Sequence, residues 1–143
     1  MPSKSFTVFL ANSKINPFKK IINIDSDKSL SIRSFLLGSI SEGESTVRNV
    51  LESDDVRSTI NVCKKLGVRI TKNKSRSYKI YGKGLGSLFA KKNLTINFGN
   101  SGTLARLLIG ILSTTPNIRL RLKGDHSLNK RSMKKLINLM SEF

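Results

Sequence analysis

The sequence contains no tryptophan, one cysteine, one histidine and three prolines in 143 residues. The single cysteine, Cys63, excludes an internal disulfide framework and is typical of a reducing cytoplasm. No apolar run reaches the roughly 20 residues that a helix needs to cross a bilayer, and the first residues lack the apolar segment of a secretory signal. No cluster of His, Cys and carboxylate residues has the spacing of metal ligands. We therefore predict a cytoplasmic protein with no membrane span and no metal site.

Acidic residues are also scarce. Nine Asp and Glu stand against 26 Lys and Arg, which gives a formal net charge of +17. Such an excess is typical of proteins that bind nucleic acid, anionic lipid or phosphorylated small molecules, although Lys, Asn, Ile and Ser also accumulate through AT-rich codons. With no tryptophan and only two tyrosines, the chain lacks an aromatic platform on which bases stack. Small anionic substrates are therefore the favoured partners, and nucleic acid is the weaker hypothesis.

Short β-forming runs alternate with amphipathic helical patterns, which indicates a mixed α/β (α+β) fold. The predicted strands are Phe6–Leu10, Ile21–Ile24, Thr46–Val50, Val68–Thr71, Ser77–Tyr81, Leu94–Phe98 and Ile118–Leu122. The last run alternates strictly between apolar and basic residues, so it is predicted to be half buried.

Four helices are predicted from apolar residues spaced three and four apart. Their apolar faces carry, in turn, Ile32, Phe35, Leu36 and Ile40; Val56, Ile60 and Cys63; Leu104, Leu107, Leu108, Ile111 and Leu112; and Met133, Leu136, Ile137 and Met140. Ser53-Asp54-Asp55 predicts the N-cap and acidic first turn of the second helix, and Gly67 predicts its end.

The chain also contains an internal repeat. A shift of 73 residues places Arg33 on Arg106, Val47 on Leu120 and Leu66 on Leu139, and both halves read helix, strand, polar turn, helix. Self-similarity of this kind indicates duplicated units that stack on each other. The fourth helix runs to Phe143 without a capping glycine, a proline or a following strand, so we expect the chain to be part of a longer protein.

Three segments combine small or hydroxyl residues with a basic residue at a predicted helix start. In the first, Ser29 and Arg33 share one helix face, and Lys28 precedes them. A helix N-terminus with a hydroxyl and two cations suits a phosphate or a carboxylate. Spacing alone favours an ordinary N-cap followed by a solvated arginine.

The second segment, Asn97 to Arg106, leaves a predicted strand and enters the third helix through two glycines. It fits a tight turn and an anion-binding loop equally well. The third segment, Gly124 to Met133, presents Arg131, whose guanidinium is suited to bidentate binding of an oxyanion. The lone His126 beside it is more typical of a solvated residue than of a base.

In this order and spacing, the segments resemble the EPSP synthase family. Asp27-Lys28-Ser29 with Arg33 matches its first signature, although Asp25-Ser26 replaces the usual Pro-Gly. Leu51-Glu52-Ser53-Asp54-Asp55-Val56 is similar to a second block. Gly99-Asn100-Ser101-Gly102-Thr103 with Arg106 matches a third block. Gly124-Asp125, Ser127-Leu128 and Lys130-Arg131 match a fourth, with Ser132 in place of proline.

The resemblance implies an enolpyruvyl transfer from phosphoenolpyruvate to shikimate 3-phosphate, a step of the shikimate pathway towards chorismate and aromatic amino acids. It assigns Lys28 to catalysis and to both substrates; Ser29 and Arg33 to shikimate 3-phosphate; and Asn100, Gly102, Thr103 and Arg131 to phosphoenolpyruvate. Gly102 takes the position linked to glyphosate sensitivity. Asp54 and Asp55 are expected to be structural caps, and the role of Arg106 stays open between loop support and ligand contact. No metal or organic cofactor is implied.

The resemblance also implies an incomplete chain. Family members are roughly three times as long and are built from repeated βαβαββ units of the enolpyruvate transferase fold. Residues 1–20 are then a strand segment of an otherwise missing first domain, and residues 21–143 carry two units of a second domain. Because the acid/base carboxylates are expected downstream, we predict that the chain is inactive without the missing C-terminal portion or a complementing chain.

Three other readings remain. The related enolpyruvyl transferase that acts on a UDP-sugar has Asn after the first lysine, whereas this chain has Ser29 followed by Arg33. A basic nucleic-acid-binding module is the second, because RNA 3′-phosphate cyclases share this type of fold. A non-catalytic relic, or one half of a split enzyme, is the third.

Overall fold

The computed structural model describes residues 25–142. Within that range helices and strands alternate in the order α1 Lys28–Ile40, β1 Glu42–Val47, α2 Asp54–Lys65, β2 Arg69–Lys74, β3 Ser77–Lys83, β4 Thr95–Asn97, α3 Gly102–Ser113, β5 Arg121–Lys123, α4 His126–Asn129 and α5 Lys134–Met140. The strands predicted at Phe6–Leu10 and Ile21–Ile24 lie outside the described residues. No helix in the described range is long and apolar enough to cross a membrane.

The strands form two small sheets. In the first, β3 lies between β1 and β2 and is antiparallel to both, with Glu42 opposite Lys83 and Arg69 opposite Tyr81. In the second, β4 and β5 are parallel, with Asn97 opposite Lys123, and α3 makes the crossover between them. A parallel pair places the carboxyl ends of both strands at one edge, where ligands of open α/β sheets bind.

The core lies between the helices and the inner face of the first sheet. Helix α1 buries Ile32, Phe35 and Leu36, α2 buries Val56, Ile60 and Cys63, and α3 buries Leu104, Leu108 and Leu112. The rings of Phe35 and Tyr78 meet edge to face, with centroids 5.3 Å apart. These contacts confirm the predicted apolar faces of the first three helices, except that Leu107 is 39% exposed.

The ends of α2 follow the predicted chemistry in part. Asp54 and Asp55 lie in its first turn, and Ser53 occupies the N-cap position without a capping hydrogen bond from its side chain. Gly67, directly after the C-cap Leu66, has a φ of +87°, which a residue with a Cβ rarely adopts. The predicted end of the helix is therefore confirmed.

All five strands predicted within the described range overlap an observed strand, but two of them start three residues or more away from the observed start. The strand predicted at Thr46–Val50 begins at Glu42 and ends at Val47, because Asn49 turns the backbone with a φ of 56°. The strand predicted at Ile118–Leu122 spans Arg121–Lys123, and all three of its residues are exposed instead of half buried. Alternation predicts which residues share a face, but a face is buried only where another layer covers it.

The C-terminal helices also differ from the prediction. The one-turn helix α4 was not predicted, and α5 begins at Lys134 and buries no side chain within the described range. Ile137 and Leu139 are 59% and 52% exposed.

The internal repeat is visible in the helices. A shift of 73 residues carries α1 onto residues 101–113, which is α3 to within one residue.

Candidate anion-binding site

The first predicted segment forms the N-terminus of α1. Asp27 is its N-cap, and its Oδ1 accepts a hydrogen bond from the backbone N–H of Leu30 at 2.6 Å. Lys28 and Ser29 therefore lie in the first turn, where the helix dipole favours negative charge. Arg33 follows one turn later with an exposed side chain. The structure thus brings Lys28, Ser29 and Arg33 to one end of α1, as predicted.

Lys28 is joined to a second helix N-terminus. Its Nζ atom lies 3.0 Å from Oδ2 of Asp55, in the first turn of α2. Asp55 was predicted only as an acidic residue of that turn, so its link to Lys28 was missed. The two residues are 27 positions apart in the sequence, and only the packing of α1 against α2 brings them together.

The segment before α2 is fixed to the sheet and to α1. The backbone N–H of Leu51 donates to Ser31 Oγ at 3.1 Å, and Oε1 of Glu52 accepts from the Tyr78 hydroxyl at 2.7 Å. Lys72 Nζ lies 2.7 Å from the same oxygen. These two donors, Lys72 first, lower the pKa of Glu52, so it is a carboxylate near neutral pH. The first turn of α2 is thereby positioned beside Lys28.

The second predicted segment forms the loop between β4 and α3. Oδ1 of Asn97 accepts a hydrogen bond from the N–H of Gly99 at 3.0 Å, which turns the chain at the end of β4. Ser101 then caps α3, because its Oγ accepts from the N–H of Leu104 at 3.3 Å. Gly102 and Thr103 consequently occupy the first turn of α3, as Lys28 and Ser29 do in α1.

The third segment is hydrogen bonded to the second. The N–H of Asp125 donates to the carbonyl of Gly99 at 2.9 Å, and the Asp125 carboxylate caps α4 by accepting from Leu128 N–H at 2.7 Å. Asn129, which sequence reasoning missed, closes the loop through two 3.1 Å hydrogen bonds between its side-chain amide and the backbone of Gly124. Both loops therefore lie together at the carboxyl edge of β4 and β5.

Two guanidinium groups converge on Gly102. A Cβ atom built at this glycine lies 2.9 Å from Nη1 of Arg106 and 3.0 Å from Nη1 of Arg131. Nη2 of Arg131 also donates to Oδ1 of Asn100 at 3.4 Å, and Nη1 of Arg106 donates to the Gly102 carbonyl at 3.4 Å. The structure thus brings Asn100, Gly102, Thr103 and Arg131 together, and Arg106 lies beside them through its hydrogen bond to the first turn of its own helix.

Helix α2 connects the two groups. A Cβ atom built at Gly99 lies 3.4 Å from Oγ of Ser58, one turn beyond the Asp55 that holds Lys28. The N-terminus of α1 and the loop before α3 therefore both lie against the first turns of α2, where Asp55 and Ser58 share one face. Helix N-termini with nearby Lys and Arg side chains are suited to bind phosphate and carboxylate groups.

Two other kinds of site, a metal centre and a cysteine nucleophile, are not indicated within the described residues. Among them, no three His, Cys, Asp or Glu residues are grouped as metal ligands. Burial raises the pKa of the Cys63 thiol to about 11, so this side chain is neutral and not a nucleophile at physiological pH.

Comparison with known proteins gives one consistent result. The family described as EPSP synthase (3-phosphoshikimate 1-carboxyvinyltransferase) matches residues 12–143. The chain is 37% identical over 126 residues to a 3-phosphoshikimate 1-carboxyvinyltransferase of Syntrophomonas wolfei, which covers 88% of this chain and 29% of that protein. It is 42% identical over 117 residues to the Oceanobacillus iheyensis protein of the same name, covering 82% and 27%.

Solved structures agree with the sequence comparison. An EPSP synthase from Acinetobacter baumannii superimposes with a TM-score of 0.77 at 35% identity, covering 85% of this chain and 27% of that one. The mixed α/β architecture is accordingly an incomplete enolpyruvate transferase fold. The chain spans less than a third of the length of the curated relatives it matches. On the combined evidence of profile, sequence and structure, it belongs to the EPSP synthase family.

Proposed function

We propose that the chain supplies part of an active site that transfers the enolpyruvyl group of phosphoenolpyruvate to shikimate 3-phosphate. In this reaction the methylene carbon of phosphoenolpyruvate is protonated, and a hydroxyl of shikimate 3-phosphate loses its proton as its oxygen adds to C2. Loss of phosphate together with a proton of the new methyl group then restores the carbon–carbon double bond. The observation that carries the proposal is that the cationic N-terminus of α1 and the loop that leads into the cationic N-terminus of α3 both lie against the first turns of α2. A region of positive potential of this kind raises the local concentration of anionic substrates.

The α1 end is the proposed site for shikimate 3-phosphate. Ser29 offers a hydroxyl, Arg33 a forked guanidinium, and the helix N-terminus a partial positive charge. Lys28 is proposed to contact both substrates and to stabilise charge that develops during the transfer. Its side chain is 51% exposed, so its ammonium is accessible to a ligand.

The α3 end is the proposed site for phosphoenolpyruvate. Arg131 is held beside the loop by Asn100, and Gly102 leaves room for two guanidinium groups at the first turn of α3. Thr103 adds a hydroxyl in the same turn. A carboxylate and a phosphate on one small molecule suit such an arrangement, because each binds guanidinium and backbone N–H groups.

The rest of such an enzyme is the proposed partner of this chain. An exposed apolar groove between α1 and α3 is lined by Leu37, Leu107 and Ile111, and α5 buries no side chain within the described range. Both surfaces suit packing against further chain. We propose that residues 1–20 belong to a first domain and that residues 21–143 carry two repeat units of a second, in a cytoplasmic enzyme.

The proposal is tested first by binding. Isothermal titration of the chain with shikimate 3-phosphate and with phosphoenolpyruvate is compared among the native chain and the variants Lys28→Ala, Arg131→Ala and Lys64→Ala. We expect Lys28→Ala to weaken both ligands about tenfold or more, and Arg131→Ala to weaken phosphoenolpyruvate alone, since a charge-assisted hydrogen bond is worth about 1.5–3 kcal/mol. Lys64, in the last turn of α2, controls for net charge.

The other outcomes separate the alternatives. Salt-dependent RNA binding that displaces shikimate 3-phosphate favours the nucleic-acid module, and tight binding of a UDP-sugar favours the related transferase. We expect no turnover by the 143-residue chain alone. Turnover that is abolished by Lys28→Ala contradicts this expectation.

A further inference from the structure

Arg76 has an unusual backbone conformation. It lies in the turn between β2 and β3, and its φ is 56°, in the left-handed region. A residue with a Cβ adopts this region at a cost in free energy, and a long side chain gains nothing from the turn itself. Glycine is the residue expected at such a position. The presence of an arginine here therefore has to be explained by what its side chain contacts.

Those contacts join two segments that are distant in the sequence. Nε of Arg76 donates to the Val50 carbonyl at 3.1 Å, and the Arg76 carbonyl accepts from the N–H of Val50 at 3.0 Å. Nη2 of the same guanidinium donates to Oγ of Ser26. One residue thus holds the segment before α2 and the loop before α1.

The loop that Arg76 holds leads directly into the first cationic helix end. Ser26 precedes Asp27, the N-cap of α1, and lies two residues before Lys28. On the other side, Leu51 follows Val50 and is bonded to Ser31, whose Oγ donates to the Asp27 carbonyl at 2.7 Å. The hydrogen bonds and the peptide links between them form a closed ring around the start of α1.

We propose that Arg76 is a positioning residue for the phosphate-binding end of α1. By fixing Ser26 relative to Val50, it holds Asp27 in its capping position and so orients Lys28 and Ser29 towards the ligand. Arg76 touches no substrate in this role. The inference rests on the proposed function for its ligand, but the ordering of the loop is measurable without any ligand.

The informative variant is Arg76→Gly. Glycine adopts the left-handed backbone without strain, so the variant removes the guanidinium and keeps the hairpin turn. Amide hydrogen exchange is measured at Leu30 and Ser31, whose N–H groups bond to Asp27. We expect exchange at both to become about tenfold faster, which corresponds to a loss of about 1.4 kcal/mol in local stability. Exchange at Leu104, the capped amide of α3, should be unchanged.

Two further variants sharpen the test. Asn117→Gly places glycine at another left-handed residue, with a φ of 57°, beyond α3, and should leave Leu30 and Ser31 unchanged. Ser26→Ala removes only the acceptor of Nη2, so it should give a smaller effect in the same direction. Combined with Arg76→Gly, it should add nothing further.

Ligand binding then separates the two proposals. The dissociation constant for shikimate 3-phosphate should rise about tenfold in Arg76→Gly. That for phosphoenolpyruvate should rise by a smaller factor, because Lys28 is proposed to contact both ligands whereas Ser29 and Arg33 are proposed to contact shikimate 3-phosphate alone. Unchanged exchange at Leu30 and Ser31, or an equal acceleration at Leu104, overturns the positioning role. Faster exchange at the α1 amides alone, in a chain whose native form binds no shikimate 3-phosphate, supports the positioning role and removes the proposed function.

Discussion

Lys28 Nζ lies 3.0 Å from Asp55 Oδ2, so the first turns of α1 and α2 are joined by an ion pair between the proposed catalytic lysine and a residue that resembled a simple helix cap. The lysine side chain is 51% exposed and the aspartate side chain 21%. A pair so open to water contributes little to stability. It does restrict the position of a long, flexible side chain that is proposed to contact two ligands.

The first prediction concerns this pair. Asp55→Asn should change the free energy of unfolding by less than about 1 kcal/mol, yet weaken binding of shikimate 3-phosphate several-fold, because the released lysine loses rotamer entropy on binding. Asp54→Asn is the matched control, since it removes the same charge from the same turn of α2. Tighter binding by Asp55→Asn would show instead that Asp55 competes with the ligand for Lys28.

The second prediction concerns the glycine at the start of α3. In Gly102→Ala the new methyl group lies about 3 Å from the guanidinium tips of Arg106 and Arg131. Both are ends of flexible side chains that move aside, so the fold should keep its stability to within about 1 kcal/mol. Displacement of Arg131 from Asn100 should nevertheless weaken phosphoenolpyruvate, measured by titration, about tenfold.

A second alanine substitution in α3 provides the control. Gly110 has no neighbouring atom within 4 Å of a built Cβ, so Gly110→Ala meets open space. It should raise the free energy of unfolding by about 0.5–1 kcal/mol through helix propensity and leave ligand binding unchanged. Equal binding by the two alanine variants would contradict the convergence of the two arginines on Gly102.

The third prediction concerns the contact between β3 and the end of α1. A Cβ atom at Gly82 would overlap the Ser41 carbonyl oxygen and would lie 2.5 Å from that of Gly38. Because both are backbone atoms, no side-chain movement relieves the clash, and Gly82→Ala should lower the free energy of unfolding by about 3 kcal/mol or more. In Gly43→Ala the new Cβ has no atom within 4 Å, so the only destabilising factor is the left-handed φ of +79°. This conformation costs a residue with a Cβ about 1–2 kcal/mol. Urea unfolding of both variants measures the difference.

Local patterns predicted the helices that pack within the chain. Ile32, Phe35 and Leu36, like Leu104 and Leu108, recur at the spacing of an α-helix, and this spacing is read from the sequence without knowledge of the fold. The same reasoning failed for β5, whose alternation indicated a buried face that no layer covers within the described range. Amphipathicity reports what a segment is able to bury, not whether its partner lies on the same chain.

The candidate site was predicted unevenly for a related reason. Lys28, Ser29 and Arg33 are neighbours on one helix, so sequence spacing placed them together, but only the resemblance to the EPSP synthase family indicated a ligand site there. Asp55 and Arg76 reach the same region from 27 and 48 positions beyond Lys28, through helix packing and a hairpin turn. No periodicity in a single sequence encodes such contacts, because they depend on the tertiary arrangement.

The fourth prediction uses the pH dependence of stability. Cys63 is buried, and the loss of hydration raises its pKa from an ordinary 9.0 to about 11 in the folded chain. Its contribution to stability is therefore complete below pH 9 and is lost as the pH rises towards 11, because the unfolded chain releases the thiol proton first. Two pH units correspond to about 2–3 kcal/mol.

Lysines and tyrosines titrate in the same pH range. The measured quantity is therefore the difference in the free energy of unfolding between the native chain and Cys63→Ala. Cys63→Ala removes the thiol and leaves the other groups in place. The variant should be less stable than the native chain at pH 8, since it leaves a small cavity, and the gap should close by about 2 kcal/mol between pH 8 and 11 in urea unfolding. A gap that stays constant would mean that the thiolate is solvated in the folded chain. The apolar faces of α1 and α2 would then not close over Cys63 as the structure describes.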